Sequence, residues 1–397
     1  MDILKRQFKN HPIWAGGLLL VVALVMILVL LCQTAIHRYE KGQRLYRQGK
    51  YAQALSRYET VFKIARFLNP VYVKAEVGKG YVYLKQGHYD MAMDTFNHAL
   101  SLDGNCADAL VGQGYVGIKR GNYTEATRLF EKAQNMNPRL ADAWVGLGYV
   151  FLEKGLYANA IEEFQAAHNL APDNPQAYVG SGYAYLKISS TQSGNLEKAL
   201  WEFDQALKLD PKIAEAYVGL MYGYMKLPDW DKAREMADKA LSLNPNLDEI
   251  YVALGHIGIK TESYDTARQM FHKALKMNPN NAEAYVGLGY VGIKTNHLAD
   301  ASKQFHHALG LNENLLKAHL GLSQADYQMG DTKASVQELQ EAAKTNPTVE
   351  GRADLVRETC EHPFSSSLEE KFQQEVKTGS LEAPKLLDQI EKYCPAS

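Results

Sequence analysis

Residues Ala141 to Asn174 read ADAWVGLGYVFLEKGLYANAIEEFQAAHNLAPDN. Apolar or small residues recur in this stretch at spacings of three and four, which is the period of one face of an α-helix. Gly155 divides the stretch into two such runs, and Pro172 ends the second, because proline cannot continue a helix. The stretch therefore predicts two helices joined by a tight turn. The residues of the two runs are Trp144, Leu147, Gly148 and Phe151, then Tyr157, Ala160, Phe164 and Ala167.

The same pattern returns along most of the chain. Its copies start 34 residues apart, except where five extra residues in the Ser/Thr/Gly stretch Ser189 to Gly194 predict a loop. A degenerate first copy begins near Ala35. One helix pair cannot bury its own apolar faces, so the copies must stack into a solenoid. The clear copies start at Val73, Ala107, Ala141, Pro175, Ala214, Asp248, Ala282 and Leu316.

These copies resemble the tetratricopeptide repeat (TPR) family, whose motif places an aromatic residue, Leu-Gly, Ala, Phe, Ala and Pro at the same offsets. The resemblance covers residues 35 to 349 and implies an all-α fold, a right-handed α-solenoid of about nine helix pairs. It also implies a scaffold that binds protein or peptide partners. The matching residues are Trp144, Leu147, Gly148, Ala160, Phe164, Ala167 and Pro172, and in a later copy Tyr285, Leu288, Gly289, Ala301, Phe305 and Ala308.

The N-terminal segment predicts a single transmembrane helix. No Asp, Glu, Lys, Arg or His occurs from Pro12 to Ile36, and an apolar run of this length spans a bilayer. We expect an uncleaved anchor, because no small-residue cleavage site follows it. Positive residues flank both ends, so the topology stays open. The preferred location is a bacterial inner membrane with periplasmic repeats, and the alternative is cytoplasmic repeats. The basic stripe from Arg38 to Lys50 either contacts anionic headgroups or is a solvated helix face.

The predicted organisation has four parts. Residues 1–12 are a basic tail, 13–36 the transmembrane helix, 37–348 the TPR solenoid and 349–397 a helical C-terminal cap. Cys360 and Cys394 share the last region, and the sequence leaves open whether they form a disulfide.

The candidate binding site is one face of the first helix in each repeat. Counted from the repeat starts, positions 4, 7, 8 and 11 are predicted to face the core, and positions 2, 5, 6, 9 and 13 to point away. In the TPR family that second face lines the concave groove. Position 9 holds Tyr81, Tyr115, Tyr149, Tyr183, Tyr222, His256 and Tyr290, and position 13 holds Lys85, Lys119, Lys187, Lys226, Lys260 and Lys294. Acidic residues at position 2 form an opposite rim: Asp108, Asp142, Glu215, Glu249 and Glu283.

Position 6 of the first helix is glycine in every clear copy except one, which has Ala253. A glycine inside a helix costs about 1 kcal/mol relative to alanine. Because the helical wheel turns position 6 away from the core, we expect these glycines to keep the groove floor low for a ligand backbone. They are Gly78, Gly112, Gly146, Gly180, Gly219, Gly287 and Gly321.

The ligand of this face is predicted only by class. Tyrosine rings and lysines suit an extended peptide of a partner protein, and a polysaccharide guided during export is the alternative. Recent duplication would produce the same regularity without a ligand. If the tyrosines bind a ligand, removal of the Tyr149 and Tyr183 rings should weaken binding without unfolding the array.

Other chemistry finds little support in the sequence. The four cysteines and twelve histidines form no zinc-spaced cluster, and no HExxH or Ser/His/Asp context occurs, so we predict no metal, no cofactor and no catalytic residue. The net charge of −2 does not favour nucleic acid, which would require basic grooves. We predict that the protein is not an enzyme.

Overall fold

The computed structural model describes residues 12–65, 69–189 and 194–345. Within these ranges the chain forms eighteen α-helices, which confirms the predicted all-α array of nine helix pairs. The tail before Pro12 and the predicted cap, with Cys360 and Cys394, lie outside the described residues. The helices are α1 (Pro12–Arg47), α2 (Tyr51–Ala65), α3 (Asn69–Lys85), α4 (Tyr89–Leu102), α5 (Ala107–Lys119), α6 (Tyr123–Met136), α7 (Ala141–Glu153), α8 (Tyr157–Leu170), α9 (Pro175–Ile188), α10 (Asn195–Leu209), α11 (Ala214–Lys226), α12 (Trp230–Leu243), α13 (Asp248–Lys260), α14 (Tyr264–Met277), α15 (Ala282–Lys294), α16 (Leu298–Leu311), α17 (Leu316–Gln328) and α18 (Thr332–Thr345).

The helices fall into two compact units. The unit Met1–Pro211 contains α1 to α10, and the unit Lys212–Ser397 contains α11 to α18. Within each unit, helices consecutive in the chain pack against each other. The first helices of neighbouring pairs also pack together, from α1 to α9 in the first unit and from α13 to α17 in the second. Each repeat thus buries its apolar faces against its own partner helix and against the next repeat, as stacking requires.

The turns inside the pairs have a common geometry. Gly155 has φ of 74°, in the left-handed region that glycine enters without steric cost. Glu262 occupies the same repeat position with φ of 57°, where a side chain is unfavourable. In some pairs a side chain also caps the second helix: Asn122 precedes α6, and its side-chain oxygen accepts a hydrogen bond from the Glu125 N–H. The left-handed turn residue is therefore the recurrent feature of these connections.

The N-terminal helix α1 is continuous from Pro12 to Arg47. The side chains of residues 20–31 are exposed, yet Ala35 is fully buried with Tyr58 and Val61 in the core of the first pair. The apolar segment and the first repeat helix are thus one element, and the boundary predicted between residues 36 and 37 falls inside it.

Phenylalanine rings fill the space between repeats. Phe130 of α6 is fully buried, and its ring lies between Gly114 of α5 and Gly146 of α7. A Cβ on Gly114 would stand 2.6 Å from a ring carbon, and one on Gly146 would overlap the ring. Phe96 lies in the same way between Gly80 and Gly112. The expectation that the position-6 glycines face away from the core is therefore wrong: within each unit, a first helix also packs against the second helix of the preceding repeat.

Three repeats have another residue in place of this phenylalanine. The first repeat has Tyr58 and the last has Leu339. Between them, Ala237 of α12 takes the position, and it is fully buried. Met221 replaces the glycine at position 8 of the same repeat, and Ala253 replaces the glycine at position 6 of the next. Met221 is 0% exposed and Ala253 is 3% exposed, so both are buried. Where the ring is absent, larger residues replace both glycines, and this accounts for the exception at Ala253.

Candidate binding face

The position-9 side chains stand over the interior phenylalanines. The ring centroid of Tyr149 is 5.3 Å from that of Phe164, at an interplanar angle of 78°, which is an edge-to-face contact. Tyr290 is 5% exposed, and the tyrosines of unit Met1–Pro211 are half-buried. The same edge-to-face contact occurs in Tyr81–Phe96, Tyr115–Phe130, Tyr183–Phe203, His256–Phe271 and Tyr290–Phe305. These rings are consequently structural as well as surface groups.

Two tyrosine hydroxyls reach the following repeat. The Tyr149 hydroxyl donates to the Gln176 backbone oxygen at 3.4 Å, and the Tyr290 hydroxyl donates to the Lys317 backbone oxygen at 3.2 Å. Gln176 and Lys317 both occupy position 2 of the next first helix. The position-9 tyrosines therefore join neighbouring first helices across the face.

The position-13 lysines lie at the C-terminal ends of the first helices. All six are exposed: Lys85, Lys119, Lys187, Lys226, Lys260 and Lys294. A cation in the last turn is favoured by the helix dipole, so their recurrence has a structural cause in addition to any ligand. Each lies one helical turn beyond the position-9 side chain of the same helix. The structure thus orders tyrosine and lysine as two adjacent rows within each unit.

A third row of carboxylates begins two turns earlier, at position 2. Burial raises the pKa of Asp142, and the charge of Asp108 adds to this, while a hydrogen bond from the Asn174 side chain at 3.1 Å opposes it. Burial, with contributions from Glu249 and Glu283, raises the pKa of Tyr222 to about 12. The carboxylates at position 2 therefore interact electrostatically with each other and with the tyrosines at position 9. The sequence predicted an acidic rim, but it did not predict this repulsion.

We call these three rows, at positions 2, 9 and 13, the first-helix face. Its residues differ locally. His256 replaces tyrosine without loss of the edge-to-face contact with Phe271, whose centroid is 5.3 Å away. Tyr222 stands in the repeat with Ala237, where alanine takes the place of the supporting phenylalanine. In the part of the chain that the structure describes, no group of three or more His, Cys, Asp or Glu side chains is arranged to hold a metal ion.

Family comparisons agree with this repeat geometry. The profile of the tetratricopeptide repeat matches residues 39–108, 77–135 and 111–175. The C-terminal ARM domain of tetratricopeptide repeat protein 21 matches residues 181–322. The chain belongs to the tetratricopeptide repeat family. No curated protein sequence matches it significantly.

Solved structures with TPR-like folds resemble the chain at low sequence identity. The human IFIT1 dimer with m7Gppp-AAAA has a TM-score of 0.53 and 15% identity, over 78% of this chain and 72% of that chain. The APC/C hetero-tetramer Cut9–Hcn1 has a TM-score of 0.51 and 13% identity, over 92% and 85%. A thermophilic TPR protein of Thermus thermophilus is 25% identical over 47% of this chain and 100% of its own, with a TM-score of 0.44. Similarity at these identities concerns the fold alone.

TPR repeats are suited to protein–protein interaction, and the three rows show what the repeats of this chain offer a partner. An aromatic ring at position 9 recurs in seven successive first helices, each with a carboxylate at position 2, a lysine at position 13, or both. Such a surface can contact a backbone and both signs of charge along an extended segment. No catalytic arrangement is needed for that role.

Proposed function

We propose that this TPR protein is a membrane-anchored scaffold that holds a segment of a partner protein along its first-helix face. The observation that carries the proposal is the recurrence of an aromatic ring at position 9 in seven successive repeats, each with a charged group at position 2, at position 13, or at both. A periodic surface of this kind suits an extended, multivalent ligand. A pairing of negative and positive rows on either side of the tyrosines favours a peptide with both charge types over a neutral chain.

The anchor is the first part of α1. The stretch Leu20–Arg47 of this helix contains a window of mean hydropathy 2.5, and only 6% of that window is buried. Exposed apolar side chains in such a row are unfavourable in water and favourable in hydrocarbon. From Pro12 the helix reaches about 31 Å by Cys32, which matches a hydrocarbon core of about 30 Å. We place the repeats in the periplasm of a bacterial inner membrane, with cytoplasmic repeats as the alternative.

Site-specific photo-crosslinking in the native cells tests the face. The crosslinking residue replaces Lys187, exposed at the end of α9, and in a matched control it replaces Glu162, exposed on α8. We expect a discrete protein adduct at Lys187 and none at Glu162, identified by mass spectrometry. A heterogeneous carbohydrate-containing product at Lys187 would instead favour the polysaccharide alternative. Equal adducts at both sites, or none at Lys187, would contradict binding on the first-helix face.

A further inference from the structure

We propose that the first two repeats dock on anionic phospholipid headgroups through Lys63 of α2 and Lys74 of α3. The proposal rests on the proposed function, because it requires α1 to cross the bilayer. It adds a second, polar contact between the solenoid and the membrane. We call Lys63 and Lys74 the proximal lysines; both are exposed.

The apolar segment and the first repeat are joined without a linker. Because α1 is continuous through residues 12–47, the first repeat leaves the membrane as a direct extension of the anchor. Ala35, only three residues after Cys32, is already fully buried against the second helix of the pair. The repeat therefore begins within one helical turn of the end of the apolar span.

The second step is the register between α1 and α2, which brings Lys63 back to the membrane side. The ring centroids of Tyr46 and Tyr51 are 5.8 Å apart, next to the turn, and those of Tyr39 and Tyr58 are 6.1 Å apart. A step of seven residues towards the N-terminus of α1 therefore corresponds to a step of seven residues towards the C-terminus of α2. The same antiparallel register places Lys63 level with Thr34, in agreement with the shared core of Ala35 and Val61 in this pair.

The third step places Lys74 by repeat equivalence. Gly42 of α1 contacts Tyr58 as Gly80 of α3 contacts Phe96, so α3 repeats α1 with an offset of 38 residues. The helices α1 and α3 are in contact, and both are antiparallel to α2. Lys74 is therefore equivalent to Ile36 and lies near the same level.

The fourth step is the depth of these groups. If the hydrocarbon ends at Cys32, Thr34 and Ile36 lie about 3 and 6 Å beyond it. A headgroup layer is about 5–8 Å thick, so the proximal lysines lie within it. Their long side chains can place the ammonium groups beside lipid phosphates.

The local charge favours an anionic partner. Residues 34 to 74 hold nine Lys or Arg against two Glu, in a chain whose total net charge is −2. The two acidic residues, Glu40 and Glu59, lie farther along α1 and α2 from the membrane than the proximal lysines. Basic segments next to a membrane span are attracted to anionic leaflets, by about a fivefold factor in partition per charge near the surface.

The first repeat supplies a matched control. Arg47 and Lys50, the distal basic residues, are exposed and lie at the opposite end of this repeat. Arg47 is the last residue of α1, and the Lys50 N–H donates to the Leu45 oxygen at 2.9 Å in the turn that follows. This level is about 22 Å beyond Cys32, more than two Debye lengths at physiological salt.

The test uses the full chain reconstituted in vesicles of phosphatidylcholine, with or without phosphatidylglycerol. After mild detergent extraction, lipids retained per chain are counted by mass spectrometry for the wild type, Lys63→Gln/Lys74→Gln and Arg47→Gln/Lys50→Gln. We expect the wild type to retain phosphatidylglycerol in preference to phosphatidylcholine. The proximal double variant, which lacks two charges, should reduce this preference about twenty-fivefold, and the distal variant should keep it.

Each other outcome has a definite meaning. An equal loss in both variants, or no preference in the wild type, would overturn headgroup docking while leaving the anchor intact. Binding of nucleic acid instead of lipid at the proximal lysines would also contradict headgroup docking. If the chain fails to incorporate into any vesicle, the proposed membrane anchorage itself fails, which is a distinguishable result.

Discussion

The aromatic rings that pack against the first helices leave room only for glycine at positions such as Gly146. Gly146 lies in the middle of α7, where alanine would normally be preferred by about 1 kcal/mol. The Phe130 ring occupies the place of its Cβ. Packing between repeats therefore explains the glycine at this position. Whether alanine there lowers or raises the stability of the protein can be tested directly.

We predict that Gly146→Ala destabilises the protein by about 1–3 kcal/mol through overpacking. An open groove floor would give the opposite sign, a stabilisation of about 1 kcal/mol. The measurement is the urea midpoint of the full chain in detergent, with hydrogen exchange of α6 and α7 as the local readout. Ala253→Gly is the control: with no phenylalanine ring opposite it, we expect only the helix-propensity loss.

The helical wheel could not predict this contact, for a physical reason. A wheel drawn on one helix assigns a single core direction, and position 6 does point away from the partner helix of its own repeat. In a stacked array the first helix has a second buried side, against the preceding repeat. The sequence indicates that this neighbour is the second helix of the preceding repeat only because Met221, Ala237 and Ala253 depart from the repeat pattern together.

Tyr149 is expected to matter for folding as well as for binding. Its ring packs edge-to-face on Phe164, and its hydroxyl reaches the next repeat. We predict that Tyr149→Ala lowers the free energy of unfolding by about 2 kcal/mol, whereas Tyr149→Phe keeps most of it. If thermal unfolding shows that the alanine variant is as stable as the wild type, the Tyr149 ring does not stabilise the fold and serves ligand binding alone.

Glu202 should make stability depend on pH. It is 8% exposed, and burial raises its pKa to about 7 from an ordinary value of 4.5. The folded protein then binds more protons than the unfolded chain between these values, so stability falls as pH rises through this range and levels off above it.

We predict that Glu202→Gln removes this fall and is more stable than the wild type at pH 8 by about 2–3 kcal/mol. The check is the urea midpoint at pH 5 and pH 8 for both proteins. Glu162→Gln, at an exposed site on α8, is the control and should leave the pH profile unchanged. A wild-type midpoint that rises with pH over this interval would contradict the assignment.

At the scale of the element, the ring and its two glycines behave as one packing unit. The repeat with Ala237 demonstrates the alternative solution, in which Met221 and Ala253 occupy the space. Residues that share one volume should show non-additive effects when they are exchanged.

We predict that Ala237→Phe alone destabilises by about 1–3 kcal/mol, because Met221 and Ala253 already fill the site. Adding Met221→Gly and Ala253→Gly should recover at least half of this loss, although each glycine weakens its helix. The measurement is a mutant cycle of urea midpoints. Additive losses in the triple variant would exclude a shared packing volume.

The helices themselves are well predicted from the sequence. Spacings of three and four, Gly at the turns and Pro at the pair ends fix their number and order, because these signals act within a few residues. The boundary between anchor and solenoid is less accessible. Ala35 is apolar and suits hydrocarbon and a protein core equally, so only its neighbour in space, Val61, assigns it to the repeat.

At the scale of the whole molecule, the TPR array offers the same face many times, and one long helix joins it to the proposed anchor. The sequence predicts the rows of this face but not their support by phenylalanine. It leaves the topology open, because basic residues flank both ends of the apolar segment. The partner is not encoded by any local pattern, since a periodic surface suits many extended ligands.

The most direct test of the scaffold account is the composition of the complex that the tagged full chain forms in native membranes. Wild type is compared with Lys119→Glu, on the first-helix face, and Lys132→Glu, on the neighbouring second helix; both lysines are exposed. After mild solubilisation of the membrane fraction, we predict a stoichiometric protein partner with wild type and Lys132→Glu, reduced at least fivefold with Lys119→Glu. A chain found in the soluble fraction, or a partner lost equally from both variants, would contradict the account.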